Sequence, residues 1–331
     1  MFVVLADHTL ALAQLGLHTH AMIRPRILRE LMLASPSQRE RPHHLSAASG
    51  LVAIGDFLYV VADDEHHLGV FPADGDGSGE LVPIFANELP LPHKARKAAK
   101  ADLEALSLLP PFAGYSHGAL LLLGSGSRPQ RCRGALIALD AAGALAGPAR
   151  SFDLGGLYRT LQGELPSLNI EGAMVVGDKL ILLQRASRTQ PINALIQLPL
   201  DAVLAAASSD GFAEHSAPSA IQRVVLGDVD GVALGFTDGT ALADGRIVFT
   251  AAAENSSDTY HDGPCAGVAI GVFSREGQLQ QLQMVEPAQK IEGISARRDG
   301  DVLRLLLVTD ADDATVPSQL LAAEIEWADG V

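Results

Sequence analysis

Five short segments of this chain pair an acidic or polar residue with a small one and then an apolar run. They are Ala48-Ser49-Gly50-Leu51, Leu103-Glu104-Ala105-Leu106, Ile170-Glu171-Gly172-Ala173, Thr237-Asp238-Gly239-Thr240 and Ile291-Glu292-Gly293-Ile294. If the fold brings them to one axis, Glu104, Glu171, Asp238 and Glu292 face one another, with Ser49 closing the ring. Carboxylates crowded at low dielectric resist ionisation unless a cation balances them. An all-oxygen donor set suits Ca²⁺, with Mg²⁺ second; zinc is disfavoured, because no His or Cys accompanies the markers. A bound ion would polarise a substrate and lower the pKa of a bound water. A repeated Glu also serves a purely structural end, accepting N–H groups from the neighbouring repeat. The residues alone leave both readings open.

A second ring of polar residues follows the next apolar strand of each repeat: Asp63-Asp64-Glu65-His66-His67, Ser125 to Arg128, Arg185 to Arg188, Glu254-Asn255 and Asp310 to Asp313. Arg128, Arg185 and Arg188 either pair with the acids or grip an anionic substrate group through the planar guanidinium fork; Arg185 is the candidate for the second role. His66 and His261 are the candidate general bases, against the plainer reading of solvated loop histidines. The long polar loop Asn255 to Pro264 carries His261 at its tip. The basic stretch His93 to Lys100 reads as a solvated helix face or as a lid over the mouth. No G-x-S-x-G, P-loop or dinucleotide fingerprint is present.

Positioning these residues requires a repeat of strands. The markers recur at intervals of roughly 55 to 67 residues, longer than the roughly 40–45 of a compact four-stranded propeller blade. Each marker opens a first strand. A strongly apolar second strand follows (Phe57–Val61, Ala119–Leu123, Leu180–Leu183, Ile247–Thr250, Leu305–Val308), then a third, and in four repeats a fourth. The fifth repeat ends near Trp327 without one. The alternating segment Arg26 to Leu33 supplies it, closing the ring and removing a sheet edge; a helix packed beneath is the alternative. The expectation is an all-β, five-bladed propeller over 26–331 behind an N-terminal extension, 1–25. A sixth blade would need more chain than residues 1–25 offer. Two helices are expected, Leu91 to Ala101 and Leu198 to Ala206.

Composition narrows the partners. Hydrophobic residues make up 48% of the 331 and charged residues 19%, enough for a large core. The net charge of −15 argues against nucleic acid and anionic membranes, while an acidic protein can still hold a cation; the expected partner is a small molecule, anionic if the arginines grip it, and a protein partner is left open. Cys132 and Cys265 fall in non-adjacent repeats and read as unpaired thiols. Residues 1–21 lack the basic start and unbroken apolar stretch of a secretory signal. The expected location is therefore cytoplasmic, or periplasmic if the start lies further upstream.

The markers, with Asp244-Gly245-Arg246-Ile247 leading to Glu254-Asn255, resemble those of bacterial phytase-like propellers described as having esterase-like activity of phytase. They are also similar to the calcium-dependent lactonases of the gluconolactonase and paraoxonase type. The resemblance spans roughly residues 45–327. It implies a propeller and a calcium-dependent hydrolase of an ester, lactone or phosphoester. The lactonases have six blades, an acid where Ser49 stands, and Asn ligands not evident here. A non-catalytic propeller that binds a small molecule or a protein is the alternative.

Overall fold

A computed structural model describes residues 22–186, 192–254 and 265–327. Its strands form five sheets, one per repeat. Blade 1 holds β2 (Ala48–Ile54), β3 (Phe57–Ala62), β4 (His67–Pro72) and β5 (Glu80–Pro83). Blade 2 holds β6 (Leu103–Leu109), β7 (Ala119–Gly124), β8 (Arg133–Ala138) and β9 (Arg150–Asp153). Blade 3 holds β10 (Ile170–Val176), β11 (Lys179–Gln184), β12 (Asn193–Pro199) and β13 (Ala220–Val224). Blade 4 adds a short strand, β14 (Asp228–Val229), to β15 (Val232–Ala241), β16 (Ile247–Glu254), β17 (Cys265–Phe273) and β18 (Leu279–Met284). Blade 5 runs β19 (Ile291–Asp299), β20 (Val302–Thr309), β21 (Gln319–Glu326) and then β1 (Arg26–Glu30). The ring thus closes through the N-terminal strand, as the alternating pattern predicts, with Ile27 opposite Leu321. Ile23, just upstream, is buried and bonds to Met284 of blade 4.

Buried apolar side chains gather into five clusters, one at each contact between neighbouring blades. Strand alternation explains why the middles of the second strands are mostly apolar. Leu120 and Leu122 of β7 face blade 1, while Leu121 and Leu123 face blade 3. With both faces covered, a polar residue there needs a partner, as buried Thr250 of β16 finds in Thr237. The innermost strands β2, β6, β10, β15 and β19 pack side by side around the axis. Their approach is close: a Cβ on Gly293 would sit 3.1 Å from the Gly50 backbone.

Among the described residues three α-helices occupy connections. α1 (His93–Ala99) and α3 (Leu200–Ala207) match the two expected helices to within two residues at each end. α2 (Gly155–Glu164) is not predicted by its sequence, which opens on two glycines, poor helix formers. Tertiary packing overrides propensity there. A Cβ on Gly156 would lie 2.3 Å from the Phe212 carbonyl, so the glycine lets the helix dock. Among the described residues no helix is long and apolar enough to cross a membrane. Cys132 and Cys265 are both free thiols.

Candidate functional site

Each innermost strand carries a break in register, mid-strand in β15 and at the start of the other four. The residue skipped is Ser49 in β2, Glu104 in β6, Glu171 in β10, Thr237 in β15 and Glu292 in β19. A bulge of this kind re-aims a side chain. Four sequence markers therefore occupy equivalent positions, but in blade 4 the equivalent residue is Thr237, and Asp238 lies one place further on. That place is Gly50, Ala105, Gly172 or Gly293 elsewhere, small because the strands converge there.

Asp238 consequently does not join the other three acids. It is 1% exposed, and its Oδ2 accepts the Ile294 amide of blade 5 at 2.9 Å. Burial holds its carboxyl well above the usual range, against the pull of the Ile294, Gly239 and Leu51 amides. It braces the blades at the axis, the structural role open to a repeated acid. Thr237 does likewise, donating to the Ile291 carbonyl at 2.7 Å.

Glu104, Glu171 and Glu292 do share the channel mouth, and further charges surround them. Asp102, two residues before Glu104, has φ 56° and turns its carboxylate to Arg131 Nη1 at 2.6 Å and Lys100 Nζ at 2.8 Å. Lys100 also pairs with Asp63. Lys290, two residues before Glu292, reaches Asp312 at 2.6 Å, Glu254 at 3.2 Å, Glu292 at 3.4 Å and Asp310 at 3.8 Å. Arg185 meets Glu254 at 3.0 Å, Glu171 at 3.3 Å and Glu292 at 3.7 Å. It runs past Gly235, where a Cβ would stand 2.9 Å from its side chain. Its neighbours hold the guanidinium firmly charged despite burial.

Acids still outnumber bases in this cluster, and Glu104 shows it most plainly. Among the described residues it has no hydrogen-bond or ion-pair partner. Burial, then Asp102, Glu171 and Asp63, push its carboxyl well above the usual range. Burial carries Glu171 to about 8, with Arg185 opposing and Glu292 adding. Burial carries Glu292 to about 7, with Lys290 and Arg185 opposing. One oxygen each from Asp63, Asp102 and Glu104 lie within 4.8 Å of one another, close enough to share a cation.

The histidine candidates fare differently. His66 is 2% exposed; its Nδ1 faces the Asn87 carbonyl at 3.0 Å and its Nε2 accepts the Ala101 amide at 3.1 Å. Burial lowers its pKa. With both nitrogens engaged, His66 fastens the start of blade 2 and is not placed as a base. His261 and Arg188, with the whole loop 255–264, lie outside the described residues. The basic stretch is not a solvated face throughout. Arg96 is buried, bonding to Glu65 at 2.8 Å and to the Asp64 carbonyl at 2.7 Å, and Lys100 enters the acidic cluster.

Sequence reading missed Asp102, Lys290, Arg131 and the pairing role of Lys100. For the first two a signal exists. Both stand two residues before the bulged position of their blade, a fixed offset that can be counted along the chain. The residues at that offset are Ala47, Asp102, Asn169, Gly235 and Lys290.

Ring closure, five blades and a charged mouth define the class: a five-bladed β-propeller with an acidic channel mouth. The chain belongs to a family of unknown function, DUF6929, whose model matches residues 44–325. No curated protein matches it. Solved structures with a similar fold include a Myxococcus xanthus glutaminyl cyclase (12% identity, 93% of this chain and 100% of that one, TM-score 0.45). A glycosyl hydrolase from Bacteroides ovatus is another (12%, 86% and 83%, 0.44).

Proposed function

We propose that this propeller binds a hard divalent cation, Ca²⁺ in the first place, at its channel mouth through Asp63, Asp102 and Glu104, and hydrolyses an ester, lactone or phosphoester there. The observation that carries the reading is Glu104, a carboxylate in a crowd of acids with no partner of its own among the described residues. The donor set fits: one oxygen from each of three carboxylates lies within 4.8 Å of the other two, and all three are hard donors. Lys100 already holds Asp63 and Asp102, so an ion must share them with an ammonium, which sets a modest affinity.

When bound, the ion would polarise a substrate oxygen and acidify a water. Glu171 and Glu292, raised towards neutrality, are suited to exchange protons with a reacting group. Arg185 beside them is suited to orient an anionic group, in keeping with its sequence assignment. The resemblance of the marker segments to phytase-like and lactonase-type propellers points to the same substrates.

A second reading rests on Arg185. By joining Glu171, Glu254 and Glu292 it ties blades 3, 4 and 5 together across the channel, as a non-catalytic binding scaffold would require. Hydrolysis of an aryl ester, an aryl phosphodiester and a simple lactone by chelated protein, with Ca²⁺ or Mg²⁺ added back, separates the two. The hydrolase reading expects metal-restored turnover that is lost in Glu104→Gln. Turnover of none of the three with either ion leaves the scaffold.

A further inference from the structure

Blade 1 brings no carboxylate to the mouth from its innermost strand. Its marker is Ser49, and the residue two before is Ala47, both small. Blade 4 has a counterpart in Gly235, but Arg185 fills that space. At blade 1 the space stays open as a pocket of about 150 Å³ with Ser46 and Ala47 in its wall. That is smaller than the roughly 300–1,000 Å³ of a drug-sized site, so it suits a small molecule.

Two polar atoms of the lining are left without hydrogen bonds. Ser46 is 2% exposed and its Oγ has no partner; Asp64 Oδ1 is likewise buried and unpartnered. Buried polar groups are normally satisfied, and a cavity beside two that are not is the place for a ligand that satisfies them. The charges around the pocket come in two groups. Arg41 and, from α1, Lys97 bring positive charge; Arg41 engages Asp64 at 2.6 Å and Glu65 at 3.2 Å through the single nitrogen Nη2. The loop after β20 brings Asp310, Asp312 and Asp313, with Lys290 shared between the first two. One group favours an anion and the other an ammonium.

We infer that this pocket binds a small zwitterion, with an amine and a carboxylate or phosphate on one short skeleton. The amine faces the Asp310 to Asp313 loop, and the anion faces Arg41 and Lys97 and accepts the Ser46 hydroxyl proton. The pocket shares Asp63 and Lys100 with the proposed ion site, yet zwitterion binding needs neither the ion nor hydrolysis.

The test is isothermal titration of the full chain in chelator with 4-aminobutyrate and with phosphoethanolamine. Butyrate, inorganic phosphate and butylammonium serve as single-ended controls. One zwitterion should bind at least about tenfold more tightly than either of its halves, and which one does so identifies the anion. Ser46→Ala and Asp313→Asn, the latter at an exposed position, should each weaken that binding several-fold with an unchanged circular dichroism spectrum. Equal binding of the single-ended probes, or no heat from either zwitterion at millimolar concentration, overturns the inference. Because chelator is present throughout, such a failure leaves the ion proposal standing, and loss of the ion proposal leaves this one.

Discussion

Glu104 and Asp238 carry the same functional group at neighbouring points of the same channel, and their surroundings assign them opposite work. Asp238 Oδ2 accepts the Ile294 amide, so Asp238→Ala orphans that N–H in the tightest part of the ring. We expect a loss of about 1–3 kcal/mol in urea unfolding, the usual cost of a buried unsatisfied group, with Ca²⁺ binding retained. Lys100→Met should act the other way on the ion. It removes the ammonium that shares Asp63 and Asp102, and should tighten Ca²⁺ binding as measured by titration calorimetry. Stability should also follow pH with a definite sign. Folding raises Glu171 to about 8 and Glu292 to about 7, so between their ordinary values and these the folded state holds more protons than the unfolded chain. Stability is then greatest on the acid side and falls as pH rises through about 7 to 8, levelling beyond. Thermal melts of metal-free protein should show that decline, and Glu171→Gln with Glu292→Gln should flatten it. None of this separation is visible in the sequence. Asp238-Gly239 imitates Glu171-Gly172, and only the register break at Thr237 shows that the two are offset by one residue.

At the scale of elements, the repeat was the legible part. Apolar second and third strands were readable because burial on both faces leaves a continuous apolar run that turns interrupt, and the closing strand because polar and apolar residues alternate along it. What the blades hold up was less so. Asp102 reaches the mouth through a left-handed backbone conformation that a linear reading does not reveal, although Asp tolerates it better than most residues. α2 was invisible because Gly156 is chosen for its contact with Phe212 and not for helix formation. The closing strand carries its own prediction. β1 is largely exposed, so it contributes a row of hydrogen bonds and covers the edge of β21 more than it adds core. Removing residues 1–30 should therefore leave blades 1 to 4 recognisable by circular dichroism. It should lower the melting temperature and drive concentration-dependent association, seen by light scattering, as the bared edge seeks a partner. A truncated chain that stays monomeric and melts unchanged would show that the closure is dispensable.

Over the whole molecule, five cores of similar make hold five blades in a closed ring, and the ring concentrates charge of one sign at one end of its channel. Lys100, Arg131, Arg185 and Lys290 offset much of it from within, and the remainder falls at Glu104. The net charge of −15 adds a general attraction for cations, which salt screens, whereas a coordinated ion survives screening. Calcium titration calorimetry at physiological salt, on the chelated protein beside Glu104→Gln, tests this most directly. The expected result is one saturable Ca²⁺ site per chain, weakened by about tenfold or more in the variant while its fold is unchanged. No binding heat at millimolar Ca²⁺, or equal affinity in both proteins, would contradict it.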